Sequence, residues 1–157
     1  MCKTAVINID DEYGKRLAQE FSDIAVTYSA EGNADYHAEF IRMNATGCSY
    51  MLVNEREKTA CRVDMNMTGL YNVQNSLCAI AMVTALGFDM TECAKALSDL
   101  DGVAGRMNVV YRGDFTVITD YAHTDDALIK VLSTLKPLTK GRLICVFGAA
   151  GDRDKEK

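Results

Sequence analysis

The fold of this chain is decided by two tracts, DYAHT at residues 120–124 and GAAGDRD at residues 148–154. Each tract directly follows a run of apolar and β-branched residues that is typical of a buried strand. In an α/β sheet, ligands bind where such strands end. Because the tracts carry side chains of both charges, they predict a site for an anionic, phosphorylated ligand.

The composition is that of a globular chain and excludes several functional classes. Of 157 residues, 48% are hydrophobic and 25% are charged, which fits one domain or parts of two. A net charge of −5 argues against nucleic acid as the main partner. The sequence contains neither an apolar run of the ~20 residues that a membrane span needs nor a secretory signal. The six cysteines lack zinc or redox spacing, so we expect a reduced, cytoplasmic protein.

The first half predicts strands, a helix and then an antiparallel meander. Residues 4–9 and 24–28 are strand patterns, and residues 12–21 between them have apolar side chains at fourfold spacing. The meander is predicted from three further strands, at 37–43, 48–54 and 59–65, with polar turns between them.

The pattern becomes helical from residue 72, and Gly87 stands where the first of two helices would end. Residues 101–105, DGVAG, are typical of a hinge between domains. A hairpin is predicted over 107–119, followed by a helix that Thr124 caps and a fully buried strand at 143–147. Apolar residues of that last helix are predicted to face the core.

Neither half contains enough elements to bury a complete core. We therefore expect the native protein to include residues before and after this sequence. Incomplete sheets leave edges and apolar faces uncovered, so self-association of the chain is a further expectation.

Four motifs in this order resemble the Mur ligases: NVQN at 72–75, GVAGRM at 102–107, DYAHT at 120–124 and VFGAAGDRD at 146–154. The strand and acidic pair at 5–11 are also similar to this family. Among its members the chain is most similar to the one that adds the third residue of the peptidoglycan peptide.

The resemblance implies an α/β architecture in two parts. Residues 1–102 would be the end of a P-loop-type central ATPase domain with an antiparallel β meander. Residues 103–157 would be the opening βαβ of a Rossmann-like C-terminal domain. The implied reaction uses ATP and Mg²⁺ to join lysine or diaminopimelate to a UDP-MurNAc-dipeptide through an acyl phosphate.

The same resemblance implies roles for individual residues. Asn75 would bind adenine, Arg106 the phosphates and Asp120 the ribose, while His123 would lie close to the phosphates. Arg153 would recognise the carboxylate of the incoming amino acid. The residues alone favour simpler explanations. These are an exposed helix amide for Asn75, surface charges for Arg106 and Arg153, a strand-end carboxylate bonding nearby backbone for Asp120, and a local cap for His123.

Two departures from the family pattern stand out. Asp125 replaces the proline that usually follows DYAHT, and Asn108 replaces an acidic residue, as in the related cyanophycin synthetases. The chain also contains no phosphate-binding loop of the GxxxxGK[ST] type. The family's catalytic residues and Mg²⁺ ligands would precede residue 1, so we expect no ligase activity from this chain alone.

Three other interpretations remain open, of which the first is a ligase similar to the cyanophycin synthetases. The chain could be a non-catalytic nucleotide-binding or assembly module derived from a Mur ligase. A Rossmann oxidoreductase is less consistent with the sequence, because the glycines at 148–151 lack the GxGxxG spacing.

Overall fold

The computed structural model describes residues 2–148, which form a mixed five-stranded sheet, a separate hairpin and four helices. The order in the large sheet is β1-β2-β3-β4-β5. Its strands are β1 (Ala5–Asn8), β2 (Ala25–Ser29), β3 (Tyr36–Asn44), β4 (Gly47–Asn54) and β5 (Thr59–Met65). The helices are α1 (Glu12–Glu20), α2 (Leu70–Ala85), α3 (Met90–Ser98) and α4 (Asp125–Leu135). Strands β6 (Asn108–Arg112) and β7 (Thr116–Thr119) form the hairpin.

The parallel part of the sheet places polar residues at one edge. Strands β1, β2 and β3 run parallel, so the carboxyl ends of β1 and β2 lie side by side. The Asp11 side chain caps α1 by accepting the Gly14 N–H at 2.7 Å. A Cβ atom on Gly14 would lie 1.7 Å from the Asn8 carbonyl oxygen, so α1 crosses β1 at a distance that only glycine allows.

The predicted meander is confirmed: β3, β4 and β5 pair antiparallel, with a bulge between Glu39 and Arg42. One face of this meander packs on α2 and α3 and forms the core. The most deeply buried apolar side chains, at most 1% exposed, are Leu52, Val63, Val73, Leu77, Ile80 and Ala81. Gly87 follows α2 with φ +94°, the predicted left-handed stop.

The predicted hairpin and the helix after it are also confirmed. Strands β6 and β7 pair antiparallel, and Thr124 caps α4 by accepting the Ala127 N–H at 3.3 Å. None of the described α4 residues is fully buried, so the prediction that this helix faces a core is wrong. Its apolar residues are half-buried, except Ile129, which is 65% exposed.

The predicted buried strand at 143–147 is also wrong. This segment has no strand hydrogen bonding, and Val146 is 93% exposed. A buried strand requires a neighbour for its backbone N–H and C=O groups. Within residues 2–148, β6 and β7 pair only with each other, so the segment has no such neighbour. The α/β class itself is confirmed.

Helix α1 shows that helical spacing did not identify the buried face. Tyr13, Leu17 and Phe21 are 77%, 46% and 44% exposed, whereas Gly14 is buried. The helix residue that faces β1 must be small, because the backbones of α1 and β1 approach closely there. The apolar residues consequently point away from the sheet.

Candidate functional site

Asp120 lies directly after β7 and connects two segments of backbone. Its Oδ2 accepts the Met107 N–H at 2.8 Å, and its Oδ1 accepts the Ala122 N–H at 2.8 Å. Such bonds are what the residue-level alternative predicted for a strand-end carboxylate. They join the segment before β6 to the segment after β7, because Met107 precedes β6 and Ala122 follows β7.

The backbone before β6 winds through left-handed conformations. Gly102 and Gly105 have φ of +111° and +71°, and Met107 has φ +46° although it carries a side chain. The Arg106 N–H donates to the Val103 carbonyl at 2.9 Å, which closes a tight turn. Met107 is only 2% exposed, so its burial and the bond to Asp120 offset an unfavourable backbone conformation. Because the backbone of Met107 is held in place, the backbone of the adjacent Arg106 is held as well.

Three of the predicted residues meet around Tyr121, to which the sequence analysis gave no role. The Arg106 guanidinium carbon lies 5.3 Å from the centre of the Tyr121 ring. The His123 ring meets the same ring edge-on at 5.1 Å, and its Nδ1 lies 2.9 Å from the Tyr121 carbonyl oxygen. Asp120 is the adjacent residue. Arg106, Asp120 and His123 therefore form one group, which we call the hinge cluster together with Tyr121.

The first turn of α2 faces the hinge cluster. Burial raises the pKa of the Tyr71 phenol to about 12, and the negative charge of Asp120 adds to the rise. Among the described residues, neither Tyr71 Oη nor Thr68 Oγ1 has a hydrogen-bond partner. Buried hydroxyls without partners are uncommon, so they mark a place where a ligand or water can bind. Tyr71 thus brings an unused hydroxyl of the first half of the chain towards Asp120 in the second half.

Asn75 lies on the second turn of α2 and is exposed. Within residues 2–148 no hydrogen bond links its side chain to the hinge cluster, so the structure does not join it to Arg106, Asp120 and His123. Its exposed amide offers a donor and an acceptor together, as one edge of a purine requires. Arg153 and the tract from residue 149 lie outside the described residues.

Asp10 is the polar centre to which the sequence analysis gave no task. It follows β1, and its carboxylate accepts a short hydrogen bond from Ser29 Oγ and a 3.2 Å bond from the Ala30 N–H. The side-chain amide of Gln74 on α2 donates to Asp10 Oδ2 at 2.6 Å. Its position after a parallel strand was visible in the sequence, but the contact with a residue 64 positions away was not.

A polar cleft of about 460 Å³ lies elsewhere, near the turn between β3 and β4. Arg42, Arg62 and Asp64 line it, and the Arg62 guanidinium donates to both oxygens of Asp64. None of Asn75, Arg106, Asp120 and His123 lines this cleft. We assign no function to it.

No helix among residues 2–148 combines the length and the apolar character needed to cross a bilayer. The same residues contain no group of three or more His, Cys, Asp or Glu side chains arranged to hold a metal ion.

Comparison with known families identifies the class of protein that this fold and site define. Residues 1–83 match the Mur ligase middle domain, and residues 105–157 match the Mur ligase glutamate ligase domain. The chain belongs to the Mur ligase family.

Curated relatives agree with this assignment over nearly the whole chain. It is 37% identical to UDP-N-acetylmuramoyl-L-alanyl-D-glutamate–2,6-diaminopimelate ligase of Clostridium botulinum, over 99% of this chain and 32% of that protein. The enzyme with the same name from Bacillus licheniformis is 41% identical, again over 99% of this chain and 32% of the relative. The chain therefore spans about a third of the length of these relatives.

Solved structures show the same relationship. A UDP-N-acetylmuramoyl-L-alanyl-D-glutamate–2,6-diaminopimelate ligase superposes with a TM-score of 0.71 at 35% identity, covering 97% of this chain and 32% of that one. A pseudomurein peptide ligase type C from Methanothermus fervidus superposes with a TM-score of 0.73 at 22% identity, over 90% and 36% of the two chains. At that identity the second match supports the fold alone.

Proposed function

We propose that this chain is part of an ATP-dependent ligase that adds 2,6-diaminopimelate to UDP-MurNAc-L-Ala-D-Glu in peptidoglycan synthesis. Relatives with this name are 37% and 41% identical to it. These names favour 2,6-diaminopimelate over lysine, the other amino acid considered from the sequence. A cytoplasmic location would follow from this substrate.

The proposed reaction has two steps. The D-glutamate carboxylate attacks the γ-phosphorus of ATP, which forms an acyl phosphate and releases ADP. The amine of the diamino acid then attacks the acyl carbon, forms the peptide bond and releases inorganic phosphate. Catalysis of this kind consists mostly of positioning and charge stabilisation. Mg²⁺ would supply charge neutralisation, and we propose that its ligands lie outside residues 2–148.

We propose that residues 1–102 belong to the ATP-binding domain and residues 103–157 to the next domain, with the hinge at their junction. The left-handed glycines Gly102 and Gly105 support a change of chain direction there. This division places Asn75 in the first domain and the hinge cluster in the second. ATP would then bind between α2 and the hinge.

The single observation that carries the nucleotide site is the meeting of Arg106, Asp120 and His123 around Tyr121. Arg106 is exposed, and its rigid fork of N–H donors suits phosphate oxygens. Asp120 accepts two backbone bonds, but a carboxylate has about four lone-pair positions, so ribose hydroxyls can still donate to it. The partnerless hydroxyls of Thr68 and Tyr71 provide further groups for a polar ligand. These residues fit a nucleotide, with Asn75 on adenine.

A titration of the ¹⁵N-labelled chain with ATP, followed by NMR, tests this site. We expect ATP to shift the Asn75 side-chain amide and the backbone signals of 106 and 120–123. Arg106→Ala should weaken ATP binding by about tenfold, the scale of one charge-assisted phosphate contact. Arg16→Ala, an exposed arginine on α1, is the matched control and should leave the affinity unchanged.

A titration with NADH addresses the oxidoreductase alternative. Binding of NADH without binding of ATP would overturn the proposal, as would equal ATP affinity for the Arg106→Ala variant and the unsubstituted chain. The proposed Arg153 contact is tested separately, by Arg153→Ala and titration with 2,6-diaminopimelate. Loss of binding is expected, and unchanged binding would remove Arg153 from the site.

The proposed partners are the UDP-MurNAc-dipeptide and the diamino acid, and a second copy of the chain is a further proposal. Ile144, Val146 and Phe147 are 68%, 93% and 70% exposed, an unusual density of apolar surface. We expect dimers or larger species in sedimentation velocity at high concentration. A Val146→Asp, Phe147→Asp double variant should shift the distribution towards monomer. A clean monomer for the unsubstituted chain would contradict this expectation.

A further inference from the structure

We infer that Asp10 is a positioning residue that holds Asn75 in place for adenine by fixing the adjacent Gln74. The inference rests on the proposed function, because Asn75 is the residue proposed to bind the base. Asp10 follows β1 and Gln74 lies on α2, far away in the sequence. Their side chains meet at the carboxyl edge of the sheet.

Both carboxylate oxygens of Asp10 accept hydrogen bonds, from three donors in total. Ser29 Oγ donates to Oδ1, while the Ala30 N–H at 3.2 Å and the Gln74 side-chain amide at 2.6 Å donate to Oδ2. Ser29 Oγ in turn accepts the Gly32 N–H at 2.8 Å. Asp10 therefore joins the ends of β1 and β2 to α2, and its carboxylate accepts three hydrogen bonds from the protein itself. Asp10 therefore acts through Gln74, the residue on α2 that it holds.

The start of α2 depends on such contacts because it has no side-chain cap. Its N-cap position is Gly69, with φ +104°, and no side chain accepts from the first turn there. Side-chain caps ordinarily stabilise helix starts, and their replacement costs about 1 kcal/mol. Without a side-chain cap, the start of α2 is held by the Asn72 side-chain amide, which donates to the Thr68 carbonyl at 2.8 Å, and by contacts with the sheet.

Both neighbours of Asn75 are attached to the sheet. Gln74 is bonded to Asp10 after β1, and Ser76 Oγ lies 2.7 Å from Tyr50 Oη on β4. Asn75 lies between them and is itself exposed. Its backbone is thus fixed on both sides while its amide remains free for a ligand. The contact between Ser76 and Tyr50 lies inside the core. Of the two contacts, the one between Gln74 and Asp10 therefore lies beside the proposed nucleotide site.

Two variants separate this role from a general effect on folding. Asp10→Asn replaces one acceptor with a donor and so opposes the Gln74 amide. Gln74→Ala removes the same bond without touching Ser29. Asp11→Asn is the matched control, because it makes the same charge change one residue away and asparagine remains a good cap for α1.

The measurements are NMR titrations with ATP and with inorganic triphosphate. A misplaced Asn75 would lose hydrogen bonds with adenine, so we expect Asp10→Asn and Gln74→Ala each to weaken ATP binding by up to about tenfold. Binding of triphosphate should not change, since it makes no contact with Asn75. Asp11→Asn should match the unsubstituted chain with both ligands.

A double-mutant cycle with Asn75→Ala tests whether Asp10 acts through Asn75. If it does, Asp10→Asn has no further effect on ATP affinity in the Asn75→Ala background. The paired change Asp10→Asn with Gln74→Glu restores an amide–carboxylate hydrogen bond with reversed roles, and we expect it to recover at least part of the lost affinity.

The outcomes distinguish this inference from the proposed function. If Asn75→Ala weakens ATP binding but Asp10→Asn and Gln74→Ala do not, the positioning role is wrong and the nucleotide site stands. Equal weakening for ATP and triphosphate would also overturn the positioning role, because it would indicate a general structural effect. If the unsubstituted chain does not bind ATP, or Asn75→Ala has no effect, the nucleotide site fails and the inference fails with it. Should Asp10→Asn not fold, Gln74→Ala decides alone.

Discussion

Removing the Asp120 carboxylate should loosen the hinge before the rest of the chain. In Asp120→Ala the N–H groups of Met107 and Ala122 lose acceptors that lie 2.8 Å away in each case. A hydrogen bond to a charged group contributes about 1.5–3 kcal/mol. Because Asp120 is only half-buried, water can bond to the two freed N–H groups and recover part of this free energy. We therefore expect a loss of about 2–3 kcal/mol, taking both bonds together.

The loss should be concentrated at Met107. Its φ of +46° is unfavourable by roughly 1 kcal/mol or more, and the bond to Asp120 is what holds it there. Hydrogen exchange of the Met107 and Ala122 amides should accelerate by about 30- to 150-fold, which is the same free energy expressed as an opening equilibrium. Asp120→Asn keeps one acceptor oxygen and should give a smaller effect.

Amide exchange followed by NMR measures this directly, with the amides of β4 as an internal reference. Those amides should change little, because β4 belongs to the other sheet. Unchanged exchange at Met107 in Asp120→Ala would refute the reasoning. Equal acceleration in β4 would also refute it, since it would show that Asp120 stabilises the whole chain rather than the hinge.

Three further predictions concern backbone and burial. Gly105→Ala should destabilise the chain by about 1 kcal/mol in urea unfolding, because φ there is +71°, whereas Gly141→Ala, with no atom within 4 Å of the new Cβ, should not. Gly14→Ala should largely prevent folding, seen as loss of circular dichroism signal, because the new Cβ would lie 1.7 Å from the Asn8 carbonyl oxygen. Burial raises the pKa of Tyr71 to about 12, so the contribution of Tyr71 to stability is complete below pH ~10 and is lost as the pH rises towards 12. Ultraviolet titration and unfolding experiments at these pH values check this prediction. A Tyr71 that titrates near pH ~10 would contradict it.

Local signals in the sequence were sufficient for most elements. The alternating apolar residues of β3, β4 and β5 predicted the meander, since each strand buries one face. Gly87 and Thr124 predicted where helices end and begin, because their conformational and capping roles need no distant partner. The resemblance to the Mur ligases predicted that Arg106, Asp120 and His123 lie near one ligand, and the structure brings them around Tyr121.

The errors arose where structure depends on distant partners. An apolar run such as 143–147 predicts a buried strand only if another strand pairs with it, and the described residues supply none. The spacing of Tyr13, Leu17 and Phe21 predicted a helix, but the side against β1 was decided by close backbone approach at Gly14. The link from Asp10 to Gln74 joins residues whose separation along the chain hides any pattern.

The two polar centres of this chain share one arrangement. A carboxylate after a strand holds a residue of another segment: Asp10 holds Gln74, and Asp120 holds Met107. In each case the residue next to the one held is exposed and proposed to contact the nucleotide, Asn75 in the first and Arg106 in the second. A group that is itself bonded to the scaffold has fewer positions left for a ligand, whereas its neighbour gains a fixed backbone and keeps a free side chain. Strand-end carboxylates in this chain are therefore better understood as supports for the contacting residues than as the principal contacts themselves.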